Sequence, residues 1–508
     1  MTLFGRRAPR FAFLIAAFIS SIGYADETPS RFSAGGYFRI QARPDFQGGN
    51  GGLGIWNLYG RLLNEGPYAM LQSQLQLIQA DPNGSDPYAN VNVRVEGGFL
   101  QFSQGGSNNL ENFRISQFYV TVGNVALSHV TWQVGSLYYY PGDLGLYDFR
   151  PAQILENAVG LSATWHGDKL DLLVGAGDSG YGIHGSAYDT VYTVGGFARW
   201  KPVSNFELGI GGHFLYEPGN LGNPNSPYAT EGVNYVDYFR QDVTQQYALA
   251  HAQNPGALDN FPKPSPRTDI SWRGVAYLGF GDIGPIKWSS LYGHVERLMP
   301  QTYYTDTYQD PSNHIYTETI YLHDLTDQRY DLQIGNEMQL TLIPHRLDAA
   351  WGVVYGMDIN NANTIAAGED NRWYASTVLR LQVYATNTVH FLFESSFAHE
   401  KSLNGSLWRE HHDSIFQSTL GVTNAQGLEF GDTDHRNTWQ GKLGVIFNPA
   451  GRGIYMRPSL RLLYGLQYSN MQAAFGNSFQ TSLDQFNQFP PEERHWHQLV
   501  AVEAEGWF

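Results

Sequence analysis

Cysteine is absent from the 508 residues. That excludes disulfide bridges and thiolate-held metal sites. Positive charge is scarce: 31 Lys and Arg stand against 47 Asp and Glu, for a net charge of -16. Nucleic-acid binding needs a basic stripe, so that class of partner is excluded. Beyond the N-terminal segment no apolar run approaches the ~18 residues of a membrane-crossing helix. Regular alternation of strand and helix periods is also missing, which argues against an α/β enzyme. No Gly-x-Ser-x-Gly nucleophile elbow occurs.

What is present is aromatic and glycine-rich. Phe, Trp and Tyr make up 14% of the chain, with 32 Tyr, 12 Trp and 56 Gly, and the mean hydropathy is -0.33. Arg6, Arg7 and Arg10 precede an apolar core, Phe11 to Ile22, and small residues at Gly23-Tyr24-Ala25. This is the pattern of a secretory signal peptide cleaved after Ala25. Residues 1–25 are thus read as a targeting segment and 26–508 as one mature domain.

The mature chain repeats period-2 alternation. In 329–342, Asp331, Gln333, Glu337, Gln339 and Thr341 oppose Tyr330, Leu332, Ile334, Met338, Leu340 and Leu342. In 455–468, Arg457, Ser459, Arg461 and Gln467 oppose Met456, Pro458, Leu460, Leu462, Tyr464 and Leu466. At the end of the chain, Val500, Val502, Ala504, Gly506 and Phe508 oppose His497, Leu499, Ala501, Glu503, Glu505 and Trp507. Strand side chains alternate between faces, and a charge on a lipid-facing strand costs about 2–4 kcal/mol at mid-bilayer. Polar residues confined to one parity are what that cost predicts. About eighteen such segments, joined alternately by short turns and long links, give an all-β transmembrane antiparallel β-barrel. Short turns lie on the periplasmic side and long loops on the outside.

Few residues suggest bond-making chemistry. His411-His412-Asp413, Asp434-His435 and His495-x-His497 are metal-capable by type, but no partner group stands at a telling spacing. Glu503 and Glu505 resemble a glycosidase pair, yet on one barrel face they fit a polar lumen. Neither a metal, a cofactor nor a catalytic group is assigned. Aromatic and charged residues on lumen parity are more informative: Tyr37 with Arg39, Tyr68, Tyr374 with Arg380, and Trp507 with Glu505. Aromatic rings stack on the C–H faces of sugars, contributing about 0.5–1.5 kcal/mol each by analogy with aromatic pairs. Charged groups bond sugar hydroxyls, so a millimolar site near about -4 kcal/mol is expected. Weak sites suit conduction, because a solute must also leave.

At this point the motifs resemble the maltoporin family of outer-membrane sugar porins. Gly36-Tyr37-Phe38-Arg39 is similar to that family's first strand. Arg61-Leu62-x-Asn64-Glu65 is similar to its next motif, with Tyr68 shortly after, and Phe113-Arg114 to a Phe-Arg pair. Asp143-Leu-Gly-Leu-Tyr-Asp148-Phe149, followed by Leu155-Glu156-Asn157, resembles its inward-folded third loop. Arg457-Pro458-x-x-Arg461 and Trp507-Phe508 follow in order. The middle of the chain and the long loops match poorly, Arg150 replaces a Tyr of the pattern, and Pro141 replaces an Arg.

The resemblance implies an eighteen-stranded homotrimer in the outer membrane of a Gram-negative bacterium. It implies an aromatic track, to which Tyr37, Tyr68, Trp507 and, in place of another track residue, Tyr374 correspond. It implies a polar lining of Arg39, Arg61, Arg114, Asp143 and Asp148, to which Arg150, Glu503 and Glu505 are added by position. The expected partners are oligosaccharide solutes and outer-membrane lipid. The expected function is passive, selective diffusion of maltodextrin-like sugars. The alternatives are a general diffusion porin, an outer-membrane enzyme or an exopolysaccharide-binding barrel.

Overall fold

A computed structural model describes residues 30–44, 53, 57–79, 86–98, 113–180, 190–218, 268–297, 303–309, 315–321, 329–360, 372–402, 435–470 and 495–508. The expected signal peptide, His411, His412, Asp413 and Asp434 lie outside the described residues. The strands are β1 (Phe32–Ala42), β2 (Tyr68–Ile78), β3 (Tyr88–Gly97), β4 (Arg114–Gly123), β5 (Val130–Tyr139), β6 (Ile154–His166) and β7 (Leu170–Asp178). Next come β8 (Tyr192–Val203), β9 (Phe206–Glu217), β10 (Asp269–Ile283), β11 (Ile286–Arg297), β12 (Tyr303–Gln309) and β13 (Ile315–Tyr321). The last are β14 (Arg329–Ile343), β15 (Leu347–Asn360), β16 (Arg372–Tyr384), β17 (Val389–Ser402), β18 (His435–Phe447), β19 (Ser459–Ser469) and β20 (Trp496–Trp507).

Eighteen of these strands form one antiparallel sheet, and β12 with β13 forms a separate hairpin in a long link. The sheet closes where β1 pairs with β20, in the register Tyr37–Trp507, Arg39–Glu505 and Gln41–Glu503. Closure leaves no edge strand, so every spanning backbone group finds a partner without water. Phe508 extends the pairing: its N–H donates to Gly36 O at 3.1 Å, and Gly36 N–H donates to Phe508 O at 2.9 Å.

Alternation sorts the two surfaces. Leu71, Leu75, Val194, Ile210, Phe393, Leu443, Leu460, Leu462 and Val502 are exposed on the outside. At the end carrying the long links, aromatic pairs rim this belt: Tyr192–Tyr216, Tyr355–Trp373 and Tyr468–Trp496. Trp165, Trp200, Phe391 and Phe447 rim the short-turn end. An apolar outer band between two aromatic girdles is the surface of a barrel that spans a membrane.

Two long links fold into the barrel. The first, L1 (residues 43–67), inserts a 3-10 turn at Asn57–Tyr59 and the buried side chains of Leu58, Tyr59, Leu62 and Leu63. The third, L3 (residues 140–153), inserts Leu144, Leu146 and Tyr147, all fully buried. The wall accommodates them with inward-facing glycines. A Cβ at Gly335 would stand 2.4 Å from Leu144, one at Gly352 2.7 Å from Tyr147, and one at Gly465 2.5 Å from both Leu53 and Leu63. The strand expected over 455–468 begins instead at Ser459. The residues before it depart from the wall, so that Ile454 is buried inside and Tyr455 packs against the same interior cluster.

Candidate functional site

The two inserted links divide the lumen unequally. On the wall from β14 to β19 several inward charged side chains are paired. Arg380 Nη2 and Lys442 Nζ meet Glu394 at 2.6 and 2.8 Å. Arg436 Nη2 meets Glu400 at 2.5 Å, and Tyr59 donates to the same carboxylate. Lys442 also donates to Tyr59 O at 3.1 Å, and Asn64 to Gln440 at 3.0 Å. L1 is therefore latched to this half of the barrel by both apolar burial and hydrogen bonds. L3 lies against L1, with Arg61 N–H donating to Leu146 O at 2.8 Å. Glu337 holds the tip of L3: it accepts from Leu146 N–H at 2.7 Å and from the Tyr455 hydroxyl at 2.5 Å.

The opposite wall, from β20 through β1 to β5, carries most of the residues expected to line a path. The Tyr37 ring centroid is 4.5 Å from Trp507 and 5.9 Å from Tyr68. Tyr37 itself is only 7% exposed, so it is the floor of this aromatic strip. Trp507, 58% exposed, offers its ring to the lumen. Under the strip lies a dense charge network. The Tyr37 hydroxyl donates to Glu505 at 2.8 Å and accepts from Arg61 at 2.9 Å. Glu505 also receives Arg61 at 3.0 Å, Arg457 at 2.7 Å and Arg461 at 2.5 Å. Arg461 reaches Glu503 at 2.5 Å. Arg39 is paired with Glu65 and donates to Gly66 O at 2.9 Å. Burial pushes the Glu65 carboxyl up to about 7, against the opposing pull of Arg39 and Arg61.

Thus Arg39, Glu503 and Glu505 are inward, as alternation predicts, but they are nearly covered and spend their charge on one another. Their role here is to fix the wall and L1. The charges that face open lumen include two that the sequence reading passed over, Arg94 and Glu96. Arg94 donates to the Tyr68 hydroxyl at 3.1 Å, that hydroxyl donates to Glu96 at 2.9 Å, and Arg94 and Glu96 are 3.0 Å apart. Arg114 stands 3.5 Å from Glu96 with its side chain 77% exposed. Alternation held the signal for Arg94 and Glu96, since they share the inward parity of Asn90 and Asn92 on β3 and face Gln72 and Met70 on β2.

L3 supplies the facing side. Arg150 donates to the Tyr138 hydroxyl at 2.9 Å, lies 4.9 Å over the Tyr140 ring, and stands 4.0 Å from Asp148. Asp143 is exposed on the same loop. Asp148 has φ 57, in the left-handed region that non-glycine residues seldom adopt. Its backbone N–H donates to Leu144 O at 2.7 Å, which holds that turn in place. L3 and the β2–β4 wall thus each carry charges of both signs, with tyrosines beside them.

Tyr374 departs from expectation. It is on lumen parity, but it is 3% exposed, packed in the interior cluster, and its hydroxyl accepts from Gln333 at 2.9 Å. L1 and L3 cover this half of the barrel, so Tyr374 presents no ring face to a solute. His497 is buried on β20, whereas His495 precedes that strand, with its Nδ1 2.9 Å from Ser469 O. His294, Glu296 and Asp331 bring ligand-type atoms within 4.8 Å of one another. Arg273 reaches Glu296 at 3.4 Å and His294 at 3.0 Å, so a guanidinium already meets that cluster.

No family model and no curated protein matches this chain. Among solved structures, the chain is similar to OccAB1 of Acinetobacter baumannii, with 9% identity over 94% of this chain and 96% of that one, at a TM-score of 0.43. It is similar to the outer membrane protein OprD of Pseudomonas aeruginosa, with 10% identity over 94% and 93%, at 0.39. It is also similar to OmpT, an outer membrane protein of Vibrio cholerae, with 7% identity over 94% and 97%, at 0.36. The barrel's own geometry carries the functional reading.

Proposed function

We propose that this protein is a passive outer-membrane channel selective for oligosaccharides, with maltodextrin-like sugars as the first candidates. The observation that carries this reading is the aromatic strip. Tyr68, Tyr37 and Trp507 succeed one another at 5.9 and 4.5 Å on a lumen wall otherwise made of polar side chains. A sugar presents apolar C–H faces and a hydroxyl rim, and such a wall offers a ring for the one and hydrogen-bonding groups for the other. The strip is shorter than the sequence implies, because Tyr374 is covered.

The apolar belt with its two girdles supports placement in an outer membrane with lipid as its neighbour. The short-turn end is then periplasmic and the long-link end external. The protein acts as a homotrimer and makes or breaks no covalent bonds. Such a channel needs no cofactor.

Planar-bilayer recording tests the proposal. Maltotriose added at millimolar concentrations reduces ion current saturably. A conducting channel that a broad panel of sugars leaves unaffected would instead be a general diffusion porin. A barrel without conductance would favour an enzyme or a polysaccharide-binding role.

A further inference from the structure

Toward the short-turn end, the β1–β5 wall borders an open chamber of about 780 Å³. It differs in kind from the charged passage beside L3. Its inward side chains include Gln72, Gln74, Asn90, Asn92 and Thr121, and Trp507 stands at its edge. Among the described residues that line it there is no Asp, Glu, Lys or Arg. The register explains the composition. Gln74 pairs with Asn92 across β2 and β3, Gln76 with Asn90, and Asn90 with Thr121 across β3 and β4. Amides and a hydroxyl thus form one continuous inward patch.

These groups have hydrogen-bonding capacity to give. Among the described residues, the side chains of Gln72, Asn90, Asn92 and Thr121 have no protein hydrogen-bond partner. Gln72 is exposed, so its open capacity faces the chamber, while Asn92 is nearly covered beside it. On the wall from β14 to β19, by contrast, Arg436, Lys442, Glu394 and Glu400 pair with one another, and Lys442 also donates to Tyr59 O of L1. Amides donate and accept, as do sugar hydroxyls. A neutral lining pairs with a neutral polyol without the desolvation cost that a fixed charge imposes. Waters satisfy these groups between visits, and exchanging a bridging water for a solute hydroxyl costs little.

The geometry points to this chamber as a second solute subsite, on the periplasmic side of the passage, that holds a neutral sugar segment by amide and hydroxyl contacts against the Trp507 ring. The assignment rests on the sugar-channel reading. It makes the path two-stage: charged groups and Tyr68 at the level of L3, then a neutral chamber that receives the solute.

The test is maltotriose block recorded with the sugar added on one side at a time. Gln72→Met keeps length and removes the amide from a side chain exposed to the lumen. Asn92→Leu does the same at the enclosed position, and circular dichroism with heat-shifted gel mobility checks that each variant folds. Gln72→Met, or the pair if both fold, should raise the half-blocking concentration from the short-turn side about tenfold, equivalent to ~1.4 kcal/mol. Block of the wild type with an unchanged constant in folded Gln72→Met overturns the subsite and leaves the channel reading standing. Absence of block in the wild type from either side overturns both.

Discussion

Replacing Glu337 with alanine separates the two holds on the loop that narrows the lumen. Glu337 is fully buried and accepts from Leu146 N–H and the Tyr455 hydroxyl. A buried donor deprived of its acceptor costs about 1–3 kcal/mol, so the two together cost about 2–6 kcal/mol. The other hold is apolar. Leu144, Leu146 and Tyr147 are wholly covered, and burial of such side chains contributes about 1.5–3 kcal/mol each, or about 4.5–9 kcal/mol for the three. The apolar hold is the larger, so Glu337→Ala alone leaves L3 inside the barrel but loosely seated. Its single channels should show wild-type mean conductance with added current noise. Adding Leu146→Ser and Tyr147→Ser removes a further ~3–6 kcal/mol and should release the loop, raising single-channel conductance and weakening sugar block. Single-channel recording, with circular dichroism to confirm the barrel, reads both effects. A folded triple variant with wild-type conductance and noise would refute the claim that L3 narrows the path.

Adjacent aromatics at the end of β20 should behave differently. Trp507→Ala removes a lumen ring worth about 0.5–1.5 kcal/mol, raising the half-blocking sugar concentration about two- to tenfold, whereas Phe508→Ala removes a ring that packs over Gly36 and should lower assembly yield without changing block. Titrating conductance with maltotriose and measuring refolding yield separates the two. Glu65, whose carboxyl burial raises to about 7, takes up a proton as pH falls through that value. The lumen then gains net positive charge, so reversal potentials in a salt gradient should shift toward anion preference between pH 8 and pH 6, and Glu65→Gln should abolish the shift. Gly352→Val would drive a side chain into the Tyr147 ring, where a Cβ already stands 2.7 Å away. It should displace L3 and raise conductance much as the triple variant does.

Alternation made the barrel legible. Lipid imposes a cost on every charge of one parity, and that cost writes itself into each strand, as in Asp331 against Leu332 or Arg461 against Leu462. The same rule misplaced the start of β19, because Arg457 and Met456 continue the parity after the chain has left the wall. The inserted third loop was recognisable from Asp143 to Phe149 through a family pattern. The insertion of L1 was not, since Leu58, Tyr59, Leu62 and Leu63 follow no strand period and read as a link. Its signature was elsewhere, in the inward Gly465, where the strand gives up a side chain to let Leu53 and Leu63 approach. Tyr374 shows the limit of parity: it fixes which way a side chain points but not what a distant loop places over it. Arg39, Glu503 and Glu505 show the same limit for charge, since pairing partners from L1, from β19 and from the residues before it decide whether an inward ion faces solute or structure.

The most direct measurement of the central claim is single-channel current through the purified, reconstituted wild-type protein as maltotriose is raised through the millimolar range. Saturable reduction of current, with brief closures whose frequency rises with sugar concentration, is the predicted result. Steady conductance that no sugar in the panel alters would contradict it.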